Sequence, residues 1–348
     1  MGEKIIFRKN EQLHTINPQW RGNPSANGRF FNREHRWKPG MENILNWRMP
    51  VNPHRLAKRF VQWKPTVYFL RSLDGLLGNA LIWLGHNSFL FQLGGKRIMI
   101  DPVYGDIPFV KRRSQFPADP SVFKNIDYLL ISHDHFDHLD RPSVTRLVED
   151  NPKMKLFCGL DTGKLLQSWF PSLEVIEAGW FQQYEDDGLK LTFMPAQHWG
   201  KRGVSDGGTR LWGAFVLQAD GITIYNSGDT AYAKHFKEIS NFFPHIDYCM
   251  IGIGAYQPRW FMKPNHISPY DALTAAAEMR ACITIPMHYG TFDLSDEPLF
   301  NPPHVFATEA RHRNMNVLVP CLGEIIPLEK QQAVDDALAS QISDTSLM

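Results

Sequence analysis

Few cysteines and no long apolar run are found in this 348-residue chain, and each absence excludes a class of protein. Without Cys-x-x-Cys pairs or the paired spacing of a secreted disulfide framework, we expect reduced thiols in the core. No run approaches the ~20 apolar residues of a membrane span, and the amino terminus has only the apolar patch 5–7, so neither a span nor a signal peptide is predicted. We therefore expect a cytoplasmic protein, and leave peripheral membrane contact open. The four cysteines are Cys158, Cys249, Cys282 and Cys321.

The formal net charge of +1 conceals an uneven distribution of charged residues. Lys and Arg outnumber Asp and Glu by 14 to 4 in residues 1–72, whereas Asp and Glu outnumber them by 32 to 23 in residues 73–348. Positive charge interleaved with aromatic rings suits an anionic membrane surface or a phosphate-bearing ligand, with about 1 kcal/mol for each cation near the surface. A cationic arm that wraps the acidic part of its own chain explains the same pattern, so both interpretations stay open. The aromatic residues of this basic part include Trp20, Trp37, Trp47, Phe60, Trp63, Tyr68 and Phe69.

Prolines interrupt the basic segment repeatedly, so it is not predicted to form a long helix. Only residues 53–61 have the pattern of a short amphipathic helix, with Pro53 in its first turn. Such a helix can contact lipid, the sheet or a second subunit, and a homodimer remains open. The remainder of the chain, in a sequence that is 43% apolar, is long enough to bury one extensive core.

Residues 132–138, Ser-His-Asp-His-Phe-Asp-His, place three imidazoles and two carboxylates directly after the apolar run 128–131. No structural reason requires so many titratable side chains at the end of a buried strand. Imidazole and carboxylate together are ligands of zinc and its first-row neighbours. The segment therefore predicts a metal centre with more than one ion.

Three further candidate ligands lie downstream, because one loop cannot complete two coordination spheres. His198 follows the strand-like run 189–194, Asp229 follows 222–228, and His288 follows 283–287. Each stands at the carboxyl end of a β-branched or apolar run, so the three side chains can converge on one edge of a sheet structure.

The order His-x-His-x-Asp-His, followed by His, Asp and His on separate strands, resembles the metallo-beta-lactamase superfamily from about residue 80 to residue 328. The resemblance implies two Zn²⁺ ions per chain, other first-row divalent metals being possible, and a shared hydroxide. Relatives with a di-iron centre carry a carboxylate at the position of His135, which favours zinc here. By this pattern His133, His135 and His198 hold the first metal, Asp137, His138 and His288 hold the second, and Asp229 bridges them.

The fold class implied by the resemblance is α/β (α+β), a four-layer αββα sandwich with an amino-terminal extension. We expect a basic extension over 1–78, a catalytic domain over 79–330 and a polar tail over 331–348. Residues 80–93 and 97–103 are predicted to form a hairpin around Gly94-Gly95, and residues 211–217 and 221–225 a second one. Predicted helices span 141–149, 162–170, 233–242, 269–280 and 303–313.

Longer segments, such as Gly-Ala-Tyr-Gln-Pro-Arg-Trp-Phe-Met at 254–262 and His-Tyr-Gly-Thr-Phe at 288–292, are similar to the N-acylphosphatidylethanolamine-hydrolysing phospholipase D family. The resemblance implies cleavage of a phosphodiester in an N-acylated phospholipid through a metal-bridging hydroxide. Two alternatives remain open. One is another hydrolase on the same metals, such as a sugar-phosphate lactonase or another phosphodiesterase. The other is a non-catalytic membrane-binding scaffold. No nucleic acid partner is expected, because the cationic surplus is amino-terminal and not inserted near the metal motif.

Several residues beside the metal ligands are candidates for the reaction or for binding. Asp134 either orients the hydroxide or takes its proton, or else merely fixes an imidazole. His266 matches a family histidine near the reactive centre and is a candidate to protonate the leaving group. His86 and Asp101, at strand ends, are expected to support the ligands. Candidate substrate-binding residues are Arg259, Trp260, Phe261 and Met262 for the acyl chains and phosphate, and Lys111, Arg112 and Arg113 for a headgroup phosphate.

Overall fold

Two seven-stranded sheets and one three-stranded sheet are present in the computed structural model, which describes residues 4–34 and 40–332. The strands are β1 (Ile6–Arg8), β2 (His14–Thr15), β3 (Asn23–Ala26), β4 (Arg29–Phe30), β5 (Ala80–Gly85), β6 (Ser88–Leu93), β7 (Lys96–Ile100), β8 (Tyr128–Ile131), β9 (Lys155–Gly159), β10 (Glu174–Ala178), β11 (Gln182–Asp186), β12 (Leu189–Met194), β13 (Ala214–Ala219), β14 (Ile222–Asn226), β15 (Ile246–Gly252), β16 (Ala281–Met287) and β17 (Ile325–Pro327). The helices are α1 (Met41–Arg48), α2 (Arg55–Phe60), α3 (Arg141–Asp150), α4 (Thr162–Trp169), α5 (His235–Phe242), α6 (Arg259–Met262), α7 (Pro269–Glu278) and α8 (Asn301–His312).

The two large sheets repeat one arrangement of strands. The first has the order β10-β9-β8-β7-β6-β5-β17 and the second the order β16-β15-β14-β13-β12-β11-β2. Apart from β17, which returns antiparallel to β5, antiparallel strands come first along the chain in each sheet and parallel strands follow: β5 to β7 before β8 to β10, and β11 to β14 before β15 and β16. This placement leaves the carboxyl ends of β8, β14 and β16 free to carry ligand loops.

The apolar core separates into layers, as the αββα prediction requires. One buried cluster joins the inner faces of both sheets, including Phe89 of β6 and Phe215 of β13, and extends to Phe236 of α5 and Leu273 of α7. A second buried cluster lies on the other face of the first sheet, against helices such as α3, which contributes Leu147. Helices therefore cover the outer faces of two sheets that pack on each other, and the predicted fold class is confirmed.

Most predicted helices are found within two or three residues of their predicted ends, because their start signals are explicit. Asp140 caps α3 by accepting a hydrogen bond from Ser143 N, and a proline occupies the first turn. Ser268 caps α7 in the same way through Asp271 N, again with proline in the first turn. None of the helices in the described parts of the chain is both long and apolar enough to cross a membrane.

The predicted long strand over 80–93 is wrong, since the chain turns inside it. β5 ends at Gly85 and β6 begins at Ser88, with His86 in the left-handed region at φ 53°. The register of the pair shifts between Trp83 and Gly85. All residues of β5 and all but Gln92 of β6 are buried, so hydrophobicity alone did not mark this turn.

The amino-terminal segment wraps the catalytic part of the chain, as one of the two interpretations of its charge expects. β1, β3 and β4 form the small sheet, and β2 adds to the edge of the second large sheet at β11. Arg8 pairs with Asp161 at 2.5 Å and Lys58 with Asp293 at 2.5 Å. Helix α1 was not predicted, and α2 is shorter than the predicted 53–61. The domain boundary at residue 78 stays a prediction, and the predicted tail lies outside the described residues from 333 onward.

Candidate metal centre

The loops at four strand ends bring the candidate ligands to one edge of the two sheets. β8 ends at Ile131 and leads into the loop 132–140, and His198 follows β12 by four residues. Asp229 follows the end of β14 by three residues, and His288 directly follows β16. His288 has φ 61°, and its amide donates to the carbonyl of His86.

The first ligand group consists of His133, His135, His198 and Asp229, whose candidate ligand atoms all lie within 4.8 Å of one another. His133 Nε2 lies 2.9 Å from His135 Nδ1, and His198 Nε2 lies 3.3 Å from the same atom. Asp229 Oδ2 lies 3.7 Å from His198 Nε2. These four side chains match the set expected for one metal together with the bridging carboxylate.

The second group consists of Asp137, His138, His288 and the additional residue His86, again within 4.8 Å. Asp229 connects this group to the first, because its Oδ2 lies 3.2 Å from His138 Nε2 and its Oδ1 lies 3.1 Å from His288 Nε2. The carboxylate of Asp229 therefore stands between the two groups, where a bridging ligand is expected.

The donor set fits divalent metal ions on three observations. The Nε2 atoms of His138 and His288 are buried, and neither makes a hydrogen bond of good geometry with a described residue, although each lies close to an oxygen of Asp229. Donor atoms bound to one zinc ion at about 2.0–2.1 Å must lie roughly 3 to 3.5 Å apart, and most of the separations above are near this value. The ligands are nitrogen and carboxylate oxygen, which suit zinc and similar metals.

Burial and charge set the protonation of these groups in opposite directions. Burial lowers the pKa of His133 and His198 well below its usual value, so both rings are neutral and offer a lone pair. Burial would raise the pKa of Asp137 and Asp229, but the neighbouring imidazoles, His138 first, outweigh it and hold both pKa values well below the usual range. The carboxylates are therefore ionised and available as ligands.

Two side chains behind the ligands hold them in place. Asp101 accepts hydrogen bonds from Ser132 N at 2.8 Å and from Ser132 Oγ at 2.5 Å, and its Oδ2 lies 2.8 Å from His138 Nδ1. His86 Nε2 lies 2.9 Å from Asp137 Oδ2, and the amide of His86 donates to Thr291 Oγ1. Both residues contact candidate ligands of the second group, Asp101 through His138 and His86 through Asp137.

Asp134 is not part of either ligand group. Its Oδ2 accepts a hydrogen bond from Arg210 Nε at 2.5 Å, and the same arginine also pairs with Asp206. Asp134 is 1% exposed, and its backbone carbonyl accepts a bond from Arg202. This arrangement favours a structural role over a proton transfer for Asp134.

His266 lies at the rim of the centre. Its Nδ1 is 3.9 Å from Asp229 Oδ2, and its ring centroid is 5.2 Å from that of His198. Burial lowers its pKa to about 4, so the ring is neutral at pH 7. Arg259 braces the same segment, since it donates to the carbonyl of His266 at 3.2 Å and to Asp271 Oδ2 at 2.7 Å.

The remaining candidate substrate residues separate into buried and exposed positions. Phe261 is buried and stacks on Trp47 with ring centroids 4.7 Å apart, and Met262 is also buried, whereas Trp260 is 55% exposed. Arg112 is part-buried and donates to three backbone carbonyls, those of Leu84, Val103 and Ser114. The structure places Lys111 and Arg113, which flank it, at the surface.

Sequence reasoning missed two residues that support the centre from a distance. Asn32, in the amino-terminal segment, donates to the carbonyl of His198 at 2.6 Å and accepts from Trp212 Nε1. Arg210 holds Asp134. Neither stands in a recognisable motif, and no local pattern reports a contact that spans 166 residues, as that of Asn32 does.

Comparisons with known proteins agree with this geometry. A family model described as the Beta-lactamase superfamily domain matches residues 96–289. The N-acyl-phosphatidylethanolamine-hydrolyzing phospholipase D 1 of Caenorhabditis elegans is 30% identical over 312 residues, which cover 82% of this chain and 88% of that protein. A UPF0173 metal-dependent hydrolase of Sulfurisphaera tokodaii is 31% identical over 71% of this chain and 99% of its own length.

Solved structures show the same fold at lower identity. Igni18, a metallo hydrolase of Ignicoccus hospitalis, aligns with a TM-score of 0.56 at 20% identity and covers 73% of this chain and 99% of its own. The isothiocyanate hydrolase from Delia radicum gut bacteria aligns with a TM-score of 0.57 at 15% identity over 72% of this chain and 100% of its own. At such identities the similarity concerns the fold alone.

Proposed function

Because the chain belongs to the metallo-beta-lactamase superfamily and is a metal-dependent hydrolase, we propose that its substrate is a phospholipid, cleaved at the phosphodiester in a phospholipase D reaction. The preferred substrate is of the N-acylphosphatidylethanolamine type. The observation that carries the proposal is the pair of ligand groups joined by Asp229, in a chain 30% identical to an N-acyl-phosphatidylethanolamine-hydrolyzing phospholipase D.

We assign two Zn²⁺ ions to the centre. His133, His135 and His198 would hold one, Asp137, His138 and His288 would hold the other, and Asp229 lies between the two groups, where it could contact both. When bound, two such ions supply an activated water near neutral pH and stabilise negative charge on the attacking and leaving oxygens. The role of the protein is to hold seven ligand side chains in the correct positions. Asp101 and His86 contribute by their contacts with His138 and Asp137.

His266 is positioned to contact the phosphodiester. A pKa of about 4 means that the ring is neutral at pH 7, so it can donate one hydrogen bond without being an imidazolium acid. We assign this hydrogen bond to the leaving oxygen. Arg259 fixes the backbone of His266 and thereby the direction of the ring. Asp134, paired with Arg210, positions the ligand loop.

The surface of α1 and α2 supports access to a lipid substrate. Its apolar side chains are unusually exposed for a folded protein, and Arg48, Arg55 and Arg59 lie among them. The two helices adjoin the segment that follows His288, since Trp47 Nε1 donates to Asp296 Oδ1 at 3.0 Å. We propose that this face contacts an anionic membrane. The exposed apolar residues are Met41 (72%), Ile44 (38%), Leu45 (49%), Met49 (77%), Val51 (74%), Leu56 (68%), Phe60 (70%) and Val61 (46%).

A second candidate is a hydrolase of a small, non-lipid substrate. It is favoured by the relative from Sulfurisphaera tokodaii, a metal-dependent hydrolase whose match covers 71% of this chain and 99% of that protein. A non-catalytic scaffold is disfavoured, because the structure brings all seven expected ligand residues together.

The test is a substrate panel with the zinc-loaded protein. It comprises N-acylated and plain phosphatidylethanolamine in mixed micelles, bis-p-nitrophenyl phosphate, a lactone and RNA, with the His138→Ala variant as the matched inactive control. We expect phosphatidic acid and an N-acylethanolamine from the first lipid at a higher kcat/KM than from any other substrate. Turnover of the lactone or RNA alone would remove the lipid proposal.

A further inference from the structure

A basic cavity lies between the amino-terminal segment and the loop after His288. Its volume is about 270 Å³, and the charged side chains that line it are Lys58, Lys64, Arg112, Arg113 and Asp293. We call this space the basic cavity. Four cations and one carboxylate meet there, so its lining has a charge of +3 when all are ionised.

The cations of the basic cavity differ in whether a neighbouring carboxylate neutralises their charge. Lys58 pairs with Asp293 at 2.5 Å, which neutralises the only carboxylate of the lining. Arg112 donates to three carbonyls, which carry no net charge. Within residues 4–34 and 40–332, Lys64 and Arg113 have no carboxylate within ion-pair distance. Three positive charges therefore share one cavity without a counter-charge from the described protein.

This charge arrangement selects the chemistry of a ligand. Like charges held together repel each other, and an anion in the cavity offsets the repulsion. Arginine presents a planar fork of donors and lysine a compact point charge, and together they suit an oxyanion with several acceptor oxygens, above all phosphate. The apolar parts of the lining, Val61, Trp63, Pro298 and Leu299, leave room for a substituent on the phosphate.

The basic cavity is separate from the metal centre but adjoins one of its ligand loops. None of the seven ligand residues lines it. Asp293, Pro298 and Leu299 line both the basic cavity and a small space beside His288, so this segment separates the two. Ligand binding in the cavity is therefore distinct from binding at the metals.

The amino-terminal segment presses directly on the ligand loop at this point. Gly290 has φ +70°, and a Cβ placed there would lie 2.9 Å from Pro65 Cγ and 3.3 Å from the ring of Trp63. The ring of Trp63, which also lines the basic cavity, is 6.5 Å from that of Tyr289. An anion bound by both Lys64 and Arg113 would stabilise the packing of the amino-terminal segment on this loop.

We propose that the basic cavity binds a phosphate-bearing anion, either free or as a lipid headgroup, and thereby fastens the amino-terminal segment against the loop that carries His288. Lys64 and Arg113 supply positive charge that no carboxylate in the described parts of the chain neutralises. Arg112 adds a guanidinium whose position is set by its bonds to three carbonyls. The ion pair of Lys58 with Asp293 lines one part of the cavity. The proposal does not depend on which substrate the metal centre hydrolyses.

The test is isothermal titration of inorganic phosphate into the full-length, zinc-loaded protein at constant ionic strength. Because phosphate also binds metals, the comparison is between variants with the same metal content. Lys64→Ala/Arg113→Ala removes two cations of the cavity, and Lys124→Ala/Lys234→Ala removes two exposed cations that do not line it. We expect the cavity variant to lose one class of phosphate sites, or at least about tenfold in its affinity. The control variant should titrate like the unchanged protein.

Two further measurements identify the source of the phosphate and replace the double variant if it does not fold. Vesicles of phosphatidylcholine with phosphatidic acid distinguish the source of the phosphate. Weaker vesicle binding by the cavity variant than by the control indicates a lipid headgroup, whereas equal vesicle binding with lost phosphate binding indicates a free anion. Lys64→Ala alone replaces the double variant if the latter does not fold, with a smaller loss in the same direction. Identical titrations of all variants, or an equal loss in the control, would overturn the proposal.

Discussion

Asp101 and His138 are both fully buried, and Asp101 Oδ2 lies 2.8 Å from His138 Nδ1. The other ring nitrogen of His138, Nε2, lies 3.2 Å from Asp229 Oδ2, in the ligand centre. One carboxylate therefore fixes the tautomer and the direction of a candidate metal ligand, and it lies directly after β7, a strand that carries no candidate ligand itself.

Asp101→Asn is expected to weaken metal binding at the second group by about 10- to 100-fold, because the amide cannot hold the imidazole as an ionised carboxylate does. Competition with a fluorescent zinc chelator measures the affinity of each site. Asp220→Asn, at an exposed turn, is the matched control and should leave both affinities unchanged. Equal affinities in the two variants would show that Asp101 does not support the ligand.

Removal of the metals should make stability fall as the pH rises from about 6.5 to about 9. Burial lowers the pKa of His288, but the charges of Asp229 and Asp137 more than offset this and raise it to about 9. A folded-state pKa above the unfolded value of 6.5 stabilises the protein fully at lower pH, and this contribution is lost as the pH approaches 9. Calorimetry of the chelated protein should show a falling Tm over this window. The zinc-loaded protein should show a flatter curve, and a rising Tm for the chelated form would contradict the assignment.

Arg210→Met is expected to lower the free energy of unfolding by about 3–5 kcal/mol, because it leaves the buried carboxylate of Asp134 without its partner. Urea unfolding of the zinc-loaded protein measures the change. Lys190→Met removes an exposed pair with Glu185 and should cost less than about 1 kcal/mol. If Asp134→Asn reduced turnover strongly without reducing stability, Asp134 would act in the reaction and not as a structural partner.

His266→Ala should reduce kcat by about 100-fold while the metal content stays unchanged, because the proposed function places its ring at the leaving oxygen and outside the seven proposed ligands. Metal analysis and steady-state kinetics on the best substrate of the panel measure the two effects. His312→Ala, at an exposed position near the end of α8, serves as the control. Loss of metal together with activity would instead make His266 a ligand, as its place in a group with Asp229 and His288 allows.

Leu56→Ser/Phe60→Ser should weaken binding to anionic vesicles by about tenfold or more, since burying either side chain contributes about 1.5–3 kcal/mol. Flotation of the full-length protein with vesicles that contain phosphatidylglycerol measures the partition. Leu77→Ser/Val204→Ser changes two residues that are 90% and 96% exposed outside α1 and α2. The same loss in this control, or none in either variant, would exclude a specific membrane face on these helices.

The candidate ligands that the structure brings together could be listed from the sequence, because they follow the ends of apolar, strand-like runs. His198, Asp229 and His288 are far apart along the chain, yet the ends of neighbouring strands meet at one edge of a sheet. The helix starts at Asp140 and Ser268 were equally readable, because a cap and a proline act within one turn. The break of the first hairpin at His86 was not readable, since the residues around it are almost all buried.

Local patterns thus determined most of the strands, the capped helices and the list of candidate metal-binding side chains, since these depend on neighbours within a few residues. Tertiary structure alone decided that Arg210 holds Asp134, that Asn32 reaches the backbone of His198, and that Arg112 is occupied by carbonyls while Arg113 lines a cavity. These contacts join residues that are distant in sequence, and burial and charge pairing select their partners only after the sheets have packed.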